Sequence, residues 1–225
     1  MYGPTAAHVV SNCIRARKCV AIIESPNEVD LAQNRMEGLA LSQALTLGEI
    51  ENLYFSVSKR AEFEDACRAI AKFALPHPVD DPNELVKLDS YVIYLHLSCH
   101  GNEEGIALTN GDFFDWKQLG AYLLRFAQHS EEWAGINAVG LLMSSCYGLY
   151  AQKMATEDVC PFFFLIGTSE TVAWPDALTS FVTFYHQRIQ KDRTVQQSVD
   201  AMNVAGLPNK RFQCLTPGDL KFKDY

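Results

Sequence analysis

The sequence is short of basic charge and of long apolar runs. Lys and Arg together number 19 against 27 Asp and Glu, and the formal net charge is −8. No basic run interrupts this balance, which disfavours nucleic acids and anionic membranes as partners. The longest apolar run, residues 162–166, is far below the ~20 residues that a membrane-spanning helix needs. Residues 1–10 also lack the basic and apolar regions of a secretion signal.

Cysteine is present, but not in the spacing that metal or redox sites require. The chain has seven cysteines, and no two of them form a CxxC motif. We therefore expect no zinc ribbon, no thioredoxin-like site and a reducing, cytoplasmic location. The sequence also lacks GxGxxG, GxxxxGKS/T and GxSxG, which disfavours nucleotide binding and serine hydrolysis. We expect no metal ion and no cofactor.

Apolar residues are arranged in two alternating patterns. Five short runs are apolar with few interruptions rather than alternating, as in strands buried on both faces of a sheet: residues 20–23, 53–57, 91–97, 139–143 and 162–166. Helical spacing is found in residues 63–74, 116–127 and 178–189, and more weakly in 36–47, with a last helix predicted over 194–205. Asp115 is a candidate N-cap of the second segment, and Asp176 lies in the cap region of the third. This alternation predicts an α/β fold with a mostly parallel central sheet and helices on both faces.

The remaining segments predict how the chain is organised. Its 225 residues predict one domain with a core over about residues 18–206. Asn110-Gly111 lies between two short strand-like segments and predicts a hairpin with a type I′ turn after the third strand. The Pro-rich segment 75–83 reads as a connecting loop, and the polar tail 207–225 is expected to be irregular.

Two candidate catalytic residues lie where predicted strands end. His100, followed by Gly101, ends the third strand, and Cys146 ends the fourth. If these strands are neighbours, both side chains face one crevice, because functional residues gather at the carboxyl ends of parallel strands. An imidazole can take the proton of a thiol and activate it as a nucleophile. The N–H groups of Gly101 and Cys146 are candidate donors to the oxyanion of an acyl transfer.

Each of these residues has a simpler explanation when taken alone. A cysteine at the end of a buried strand is more often a small core residue than a nucleophile. Cys99 adjoins His100 and is a second candidate nucleophile, but adjacent strand residues point to opposite faces. His96, in the middle of an apolar run, is expected to be a core histidine. The combination of His100 and Cys146 favours a cysteine hydrolase, because their separation is close to the caspase spacing of about 50 residues.

The two segments resemble the catalytic blocks of caspases. The block around the caspase histidine is an apolar strand that leads to His-Gly, followed by Glu-Glu-Gly and a short β-ribbon. Residues 91–101, the Glu-Glu-Gly at 103–105 and the predicted hairpin at Asn110-Gly111 are similar to it. Residues 139–148 are similar to the cysteine block, and residues 143–146 are closer to the version in the bacterial caspase-like CHAT proteases. The resemblance implies a caspase-like sandwich and a cysteine endopeptidase that cleaves a protein substrate through His100 and Cys146.

The resemblance also implies a specificity pocket and a regulator. Ser144 stands where caspases carry Gln and metacaspases carry Asp, and we expect it to contact the substrate. Glu24, Glu170 and Asp176 lie near expected strand ends, which slightly favours Lys or Arg before the cleaved bond. CHAT-like proteases resemble components of bacterial immune systems, so a protein activator and a role in antiviral defence or cell death are implied.

Two other functions stay open at this stage. The first is a caspase-fold binding or scaffold module with little or no proteolytic activity. The second is a flavodoxin-like sheet that binds a phosphorylated ligand. Residues 24–28, after the first predicted strand, are acidic rather than rich in Gly or Ser, which disfavours an anion at that position.

Overall fold

The computed structural model describes residues 17–74, 91–128, 139–206 and 212–220. Strands and helices alternate through these ranges as β1 (Arg17–Ser25), α1 (Glu28–Ala32), α2 (Glu37–Leu47), β2 (Asn52–Ser56), α3 (Arg60–Ala74), β3 (Tyr91–Asn102), β4 (Gly105–Ala107), β5 (Phe113–Asp115), α4 (Trp116–Gln128), β6 (Val139–Ser144), β7 (Phe164–Gly167), α5 (Trp174–Tyr185), α6 (Val195–Ala205) and β8 (Gln213–Leu215). A 3₁₀ helix, Gly148–Met154, follows β6, and a π-helical turn, His186–Gln190, extends α5. The predicted connector 75–83 lies outside the described residues.

The central sheet has the strand order β2-β1-β3-β6-β7-β8. Its first five strands are parallel, and β8 is antiparallel to β7. This confirms the predicted α/β architecture with a mostly parallel sheet. The third and fourth predicted strands, β3 and β6, are direct neighbours, which is the condition that the predicted catalytic pair required.

Each face of the sheet is covered by its own hydrophobic core. Successive side chains of a strand point to opposite faces, so Ala21 of β1 packs with Phe63 of α3 and Leu119 of α4. Its neighbour Ile22 packs on the other face with residues of α2, α5 and α6, such as Phe181. Helices therefore cover both faces, as the alternating pattern predicted.

Local capping determines where two of the predicted helices begin. Asp115, predicted as an N-cap, accepts a hydrogen bond from the N–H of Gln118 at 2.7 Å. Thr194 caps α6 through a capping box with Gln197. Asp176, expected in the cap region of α5, lies instead in the first turn, because the helix begins two residues earlier at Trp174.

The ribbon after β3 is present, but its turn differs from the predicted one. β4 pairs antiparallel with the end of β3 and with β5. Ala107 and Phe113 form the last pair between β4 and β5, so the loop has more than the two residues of a type I′ turn. Of Asn110 and Gly111, only Gly111 has a positive φ, +89°. Asn110 instead donates its N–H to the Ser58 carbonyl, and its side chain accepts from the N–H of Asp112.

The tail is more regular than the sequence predicted. Residues 213–215 form β8, whose Cys214 pairs with Ile166 of β7, and a 3₁₀ helix, Pro217–Asp219, follows. A strand of three residues has no apolar run to identify it, and it forms because the edge of β7 offers unpaired backbone groups. No helix within the described ranges combines the length and apolar character needed to cross a bilayer.

Candidate functional site

The register between β3 and β6 determines where the two predicted catalytic residues lie. Ser98 and Ser144 form the last backbone pair between these parallel strands. His100 and Cys146 each follow two residues later, so both residues lie beyond this pair at the same edge of the sheet. This is the carboxyl edge, where ligands bind in open α/β sheets.

His100 and Cys146 line one cavity of about 610 Å³ at this edge. Its other walls come from the segment that joins α1 to α2 and from the start of α5. Both residues are half-buried, so each is packed on one side and open to the cavity on the other. A substrate in this cavity would therefore meet the imidazole and the thiol together.

The His100 ring is held through one of its two nitrogens. Its Nε2 lies 2.7 Å from Oδ2 of Asp30 and 3.0 Å from Nδ2 of Asn27. The indole of Trp174 stands edge-on to the ring, with the ring centroids 5.3 Å apart. These contacts restrict the rotation of the imidazole at the cavity wall.

Asp30 is a residue of this site that the sequence analysis missed. Its side chain is only 3% exposed, and its Oδ1 forms a salt bridge with Arg35 Nη2 at 2.9 Å. Its Oδ2 accepts from Trp174 Nε1 at 3.3 Å as well as contacting His100. Asp30 follows the carboxyl end of β1 by five residues, so a search of all acidic residues after strand ends would have included it.

The Cys146 thiol is placed against the backbone of Val172. The Val172 N–H donates to Sγ at 3.4 Å, and the Val172 carbonyl lies 3.7 Å from the same sulfur. An N–H that points at sulfur stabilises a thiolate, whereas the carbonyl can accept the proton of a neutral thiol. Both protonation states of Cys146 therefore have a backbone partner.

The backbone turns sharply just after the thiol. Tyr147 adopts a left-handed conformation, with φ of +59°, and leads into the 3₁₀ helix. Its N–H donates to the carbonyl of Glu170 at 2.9 Å. Together with the contact between Cys146 and Val172, this bond fixes the turn to the segment that follows β7, so the position of the sulfur is defined by two strands.

Gly101 brings the end of β3 against the cysteine turn. A Cβ at this position would lie 2.8 Å from the Cys146 carbonyl oxygen and 3.3 Å from the Ser145 Cβ. Real Cβ atoms do not approach a carbonyl oxygen this closely, so glycine is required here. The two predicted oxyanion donors, Gly101 and Cys146, therefore belong to backbone segments in direct contact.

Glu24 does not line the cavity, which corrects its expected role in substrate specificity. Its side chain is buried and accepts hydrogen bonds from the N–H groups of Gly38 and Leu39 at 2.7 and 3.0 Å. The Tyr54 hydroxyl donates to it at 2.7 Å. Burial raises the pKa of Glu24, although these donors oppose the shift. Glu24 satisfies the first backbone donors of α2, which is a structural role.

The three other residues expected to contact the substrate also lie away from the cavity wall. Ser144 is fully buried in β6, and its hydroxyl has no hydrogen-bond partner among the described residues. Glu170 is exposed and contributes only its backbone to the cysteine turn. Asp176 is half-buried in the first turn of α5. The carboxylates that line the cavity are Asp30 and Glu37 instead.

Two residues from the sequence analysis belong to the interior. His96 is fully buried, with Nδ1 3.2 Å from the Tyr185 hydroxyl and Nε2 3.4 Å from Glu37, which confirms it as a core histidine. Cys99 is buried in the core beneath α3 and α4, and burial raises its pKa to about 12. A thiol with that pKa is a poor nucleophile near neutral pH.

A scan against protein-family models and a search of curated proteins find no match to this chain. In the part of the chain that the structure describes, no three His, Cys, Asp or Glu side chains are grouped to hold a metal ion. The cavity thus brings together the Cys146 thiol from the turn after β6, the His100 imidazole from the end of β3 and the buried Asp30 carboxylate from α1. Such a set can perform nucleophilic catalysis at a carbonyl carbon.

Proposed function

We propose that this protein is a cysteine endopeptidase that acts on a protein substrate through Cys146 and His100. The observation that carries the proposal is that both side chains line one cavity at the carboxyl edge of adjacent parallel strands. The contact between Cys146 Sγ and the Val172 N–H adds support, because it holds the sulfur in a defined position at the cavity.

The proposed reaction has two acyl-transfer steps. His100 takes the Cys146 proton as the sulfur attacks the scissile carbonyl carbon, and the carbonyl π electrons move onto oxygen. The N–H groups of Gly101 and Cys146 are proposed to hold this oxyanion. His100 returns the proton to the amide nitrogen as the C–N bond breaks, which leaves a thioester. Water then attacks the thioester carbon while His100 takes its proton. The C–S bond breaks, the proton passes to sulfur, and the carboxylic acid product leaves the regenerated thiol.

We also propose that the fold is a caspase-like sandwich. A parallel sheet with helices on both faces, and a small antiparallel ribbon directly after the strand with the histidine, supports this assignment. By the same resemblance, a protein activator would switch the enzyme on, in a bacterial defence or cell-death setting. We do not propose a specificity role for the four residues expected from the sequence, because none of them lines the cavity: Ser144, Glu24, Glu170 and Asp176.

Replacing Cys146 tests the proposed chemistry. We expect Cys146→Ala to abolish cleavage of a peptide library while leaving the thermal unfolding temperature unchanged, because Ala removes only a half-buried sulfur. Cys160→Ala is the matched control: this thiol is also half-buried, and burial raises its pKa. The measurement is mass spectrometry of the library after incubation with each variant.

Two outcomes would contradict the proposal. Cleavage that persists in pure Cys146→Ala protein excludes Cys146 as the nucleophile. A wild-type protein that cleaves nothing and shows no preferential alkylation of Cys146 by iodoacetamide supports the binding or scaffold module instead, because that function needs no activated thiol.

A further inference from the structure

We propose that Asp30 is a positioning residue that holds the His100 ring with its proton on Nε2, so that the site is a Cys-His-Asp triad rather than a dyad. The inference rests on the proposed cysteine chemistry and adds a third residue to it. It starts from the 2.7 Å contact between Asp30 Oδ2 and His100 Nε2.

The partners of Asp30 show which group donates in this contact. Arg35 and Trp174 both contact the Asp30 carboxylate, and both side chains have donors but no acceptor. The carboxylate therefore accepts, and the bond to His100 needs a proton on Nε2. A hydrogen bond of this length to a charged carboxylate belongs to the strong class.

The contact with Asn27 does not reverse this assignment. Asn27 Oδ1 accepts the backbone N–H of Asp30 at 2.7 Å, which fixes the amide with Nδ2 toward His100 at 3.0 Å. A proton on Nε2 prevents that nitrogen from also accepting from Nδ2, so the two contacts compete. The contact with the Asp30 carboxylate is the stronger of the two, since the carboxylate is closer to Nε2 than Asn27 is and carries a charge. Asn27 instead caps α1 and thereby positions Asp30.

The other ring nitrogen is left available for chemistry. His100 Nδ1 has no hydrogen-bond partner within the described ranges, and the side chain is 41% exposed at the cavity. When Nε2 carries the proton of a neutral imidazole, Nδ1 is an acceptor. We infer that Nδ1 takes the Cys146 proton, after which the imidazolium lies beside the buried Asp30 carboxylate and is stabilised by it.

The test measures the alkylation rate of Cys146 by iodoacetamide in the full chain, because this assay needs neither substrate nor activator. Rates are resolved peptide by peptide with mass spectrometry between pH 5 and 9. The charged or titratable groups that line the cavity with His100 are Asp30, Arg35, Glu37, Cys99 and Cys146. We expect Asp30→Asn to lower the Cys146 rate at pH 7 about tenfold and to move the midpoint of the profile upward, because less thiolate forms.

Control variants separate positioning from a structural role. Asp30→Glu keeps the carboxylate and should restore part of the rate. Arg17→Gln should leave the rate within about threefold of wild type, because Arg17 pairs with Glu51 on the surface, outside the cavity, and such ion pairs contribute little. If Asp30 only holds the fold together, Asp30→Asn will instead speed alkylation, including that of the buried Cys67 and Cys99, and the proposal is overturned.

The histidine variant makes the two proposals distinguishable. If His100→Ala slows alkylation of Cys146 but Asp30→Asn does not, the dyad survives and the triad is rejected. If His100→Ala has no effect, the paired chemistry itself fails. Nitrogen-15 NMR of the His100 ring is the second measurement: a proton on Nε2 is expected in the wild type and a mixture of tautomers in Asp30→Asn. A proton found on Nδ1 in the wild type overturns the triad.

A peptide that the enzyme cleaves allows a kinetic form of the same test. Loss of the correct histidine tautomer in serine-protease triads lowers kcat by about 10⁴-fold. We expect Asp30→Asn to lower kcat by about 10²–10⁴-fold on that basis, with KM within about threefold, because Asp30 is not proposed to bind the substrate. A change confined to KM contradicts the positioning role.

Discussion

Burial separates one thiol from the other described cysteines at the scale of single residues. It raises the pKa of three buried cysteines to about 12 and that of Cys214 to about 11; the three are Cys19, Cys67 and Cys99. Burial raises the pKa of Cys160 as well. Cys146 differs in its surroundings: it is half-buried and receives the Val172 N–H, whereas Cys99, which borders the same cavity, is only 3% exposed. Position relative to solvent and donors, rather than residue type, distinguishes it.

The pKa values of Glu24 and Glu62 are shifted in opposite directions, so the two residues should contribute to stability with opposite pH dependences. Burial raises the pKa of Glu24, so its protonated form is favoured by folding, and that stabilisation is lost as pH rises through the folded pKa. The unfolding free energy of wild type minus that of Glu24→Gln should therefore fall as pH increases from about 4.5 toward neutrality. Urea denaturation at four pH values measures this difference.

Glu62→Gln is the matched control for Glu24→Gln. Hydrogen bonds from the backbone and hydroxyl of Ser58 lower the pKa of Glu62, so its contribution is present above the unfolded pKa and is lost as pH falls. The unfolding free energy of wild type minus that of Glu62→Gln should therefore rise as pH increases from about 3 to 5. If the curves for Glu24→Gln and wild type are parallel, the burial of Glu24 does not affect its titration.

At the scale of secondary-structure elements, the site depends on how closely β3 approaches the turn after β6. β3 continues beyond its last pair with β6 and there pairs with β4, so its end has the ribbon on one side. The Cys146 carbonyl contacts it at Gly101. The ribbon thus supports the segment that contains His100, although no ribbon residue is proposed to act on the substrate.

Gly101→Ala tests this close approach. The added Cβ would lie 2.8 Å from the Cys146 carbonyl oxygen, so the turn must move. We expect a loss of about 1–3 kcal/mol in unfolding free energy from overpacking, together with a changed alkylation rate of Cys146. Gly111→Asn is the control on the same ribbon, because its side chain meets open space and Asn tolerates a positive φ. Equal stability of Gly101→Ala and wild type would show that the contact is not tight. Urea denaturation gives both values.

At the scale of the whole molecule, one sheet is shared by two hydrophobic cores. β6 lies between β3 and β7, and its residues alternate between the cores: Leu141 and Met143 enter one, and Leu142 enters the other. The strand that leads to Cys146 is therefore buried on both faces. The candidate site is attached to a fully buried strand, which suits the fixed geometry that the proposed reaction needs.

Leu142→Ala should destabilise the whole protein. Leu142 is fully buried, and its truncation leaves a cavity in a core that cannot collapse freely, at a cost of about 2–5 kcal/mol. Val204→Ala on α6 is the control, since Val204 is 86% exposed, and we expect a change within about 0.5 kcal/mol. Both values come from urea denaturation followed by circular dichroism. A small effect of Leu142→Ala would mean that β6 is not central to the core.

Much of the fold was predictable, because buried parallel strands are continuous apolar runs and helices have their own spacing. All five predicted strands are present, and the Asp115 cap is confirmed. Two features were not predictable by these rules. The short β8 pairs with an edge and has no apolar run of its own. The turn at Asn110 has a different geometry because Ser58, distant in sequence, accepts its N–H.

The candidate site was likewise predictable only in part from the sequence. His100 and Cys146 could be located from sequence because each follows an apolar strand, and local pattern predicts where strands end. Whether those strands are neighbours depends on long-range pairing, which only the folded chain decides. The contact of His100 with Asp30 spans 70 residues, and the capping of α2 by Glu24 spans 14. Local sequence thus determined the strands, the helices and the two reactive side chains. Tertiary packing decided which carboxylate meets the imidazole, because that depends on how separate segments come together in space.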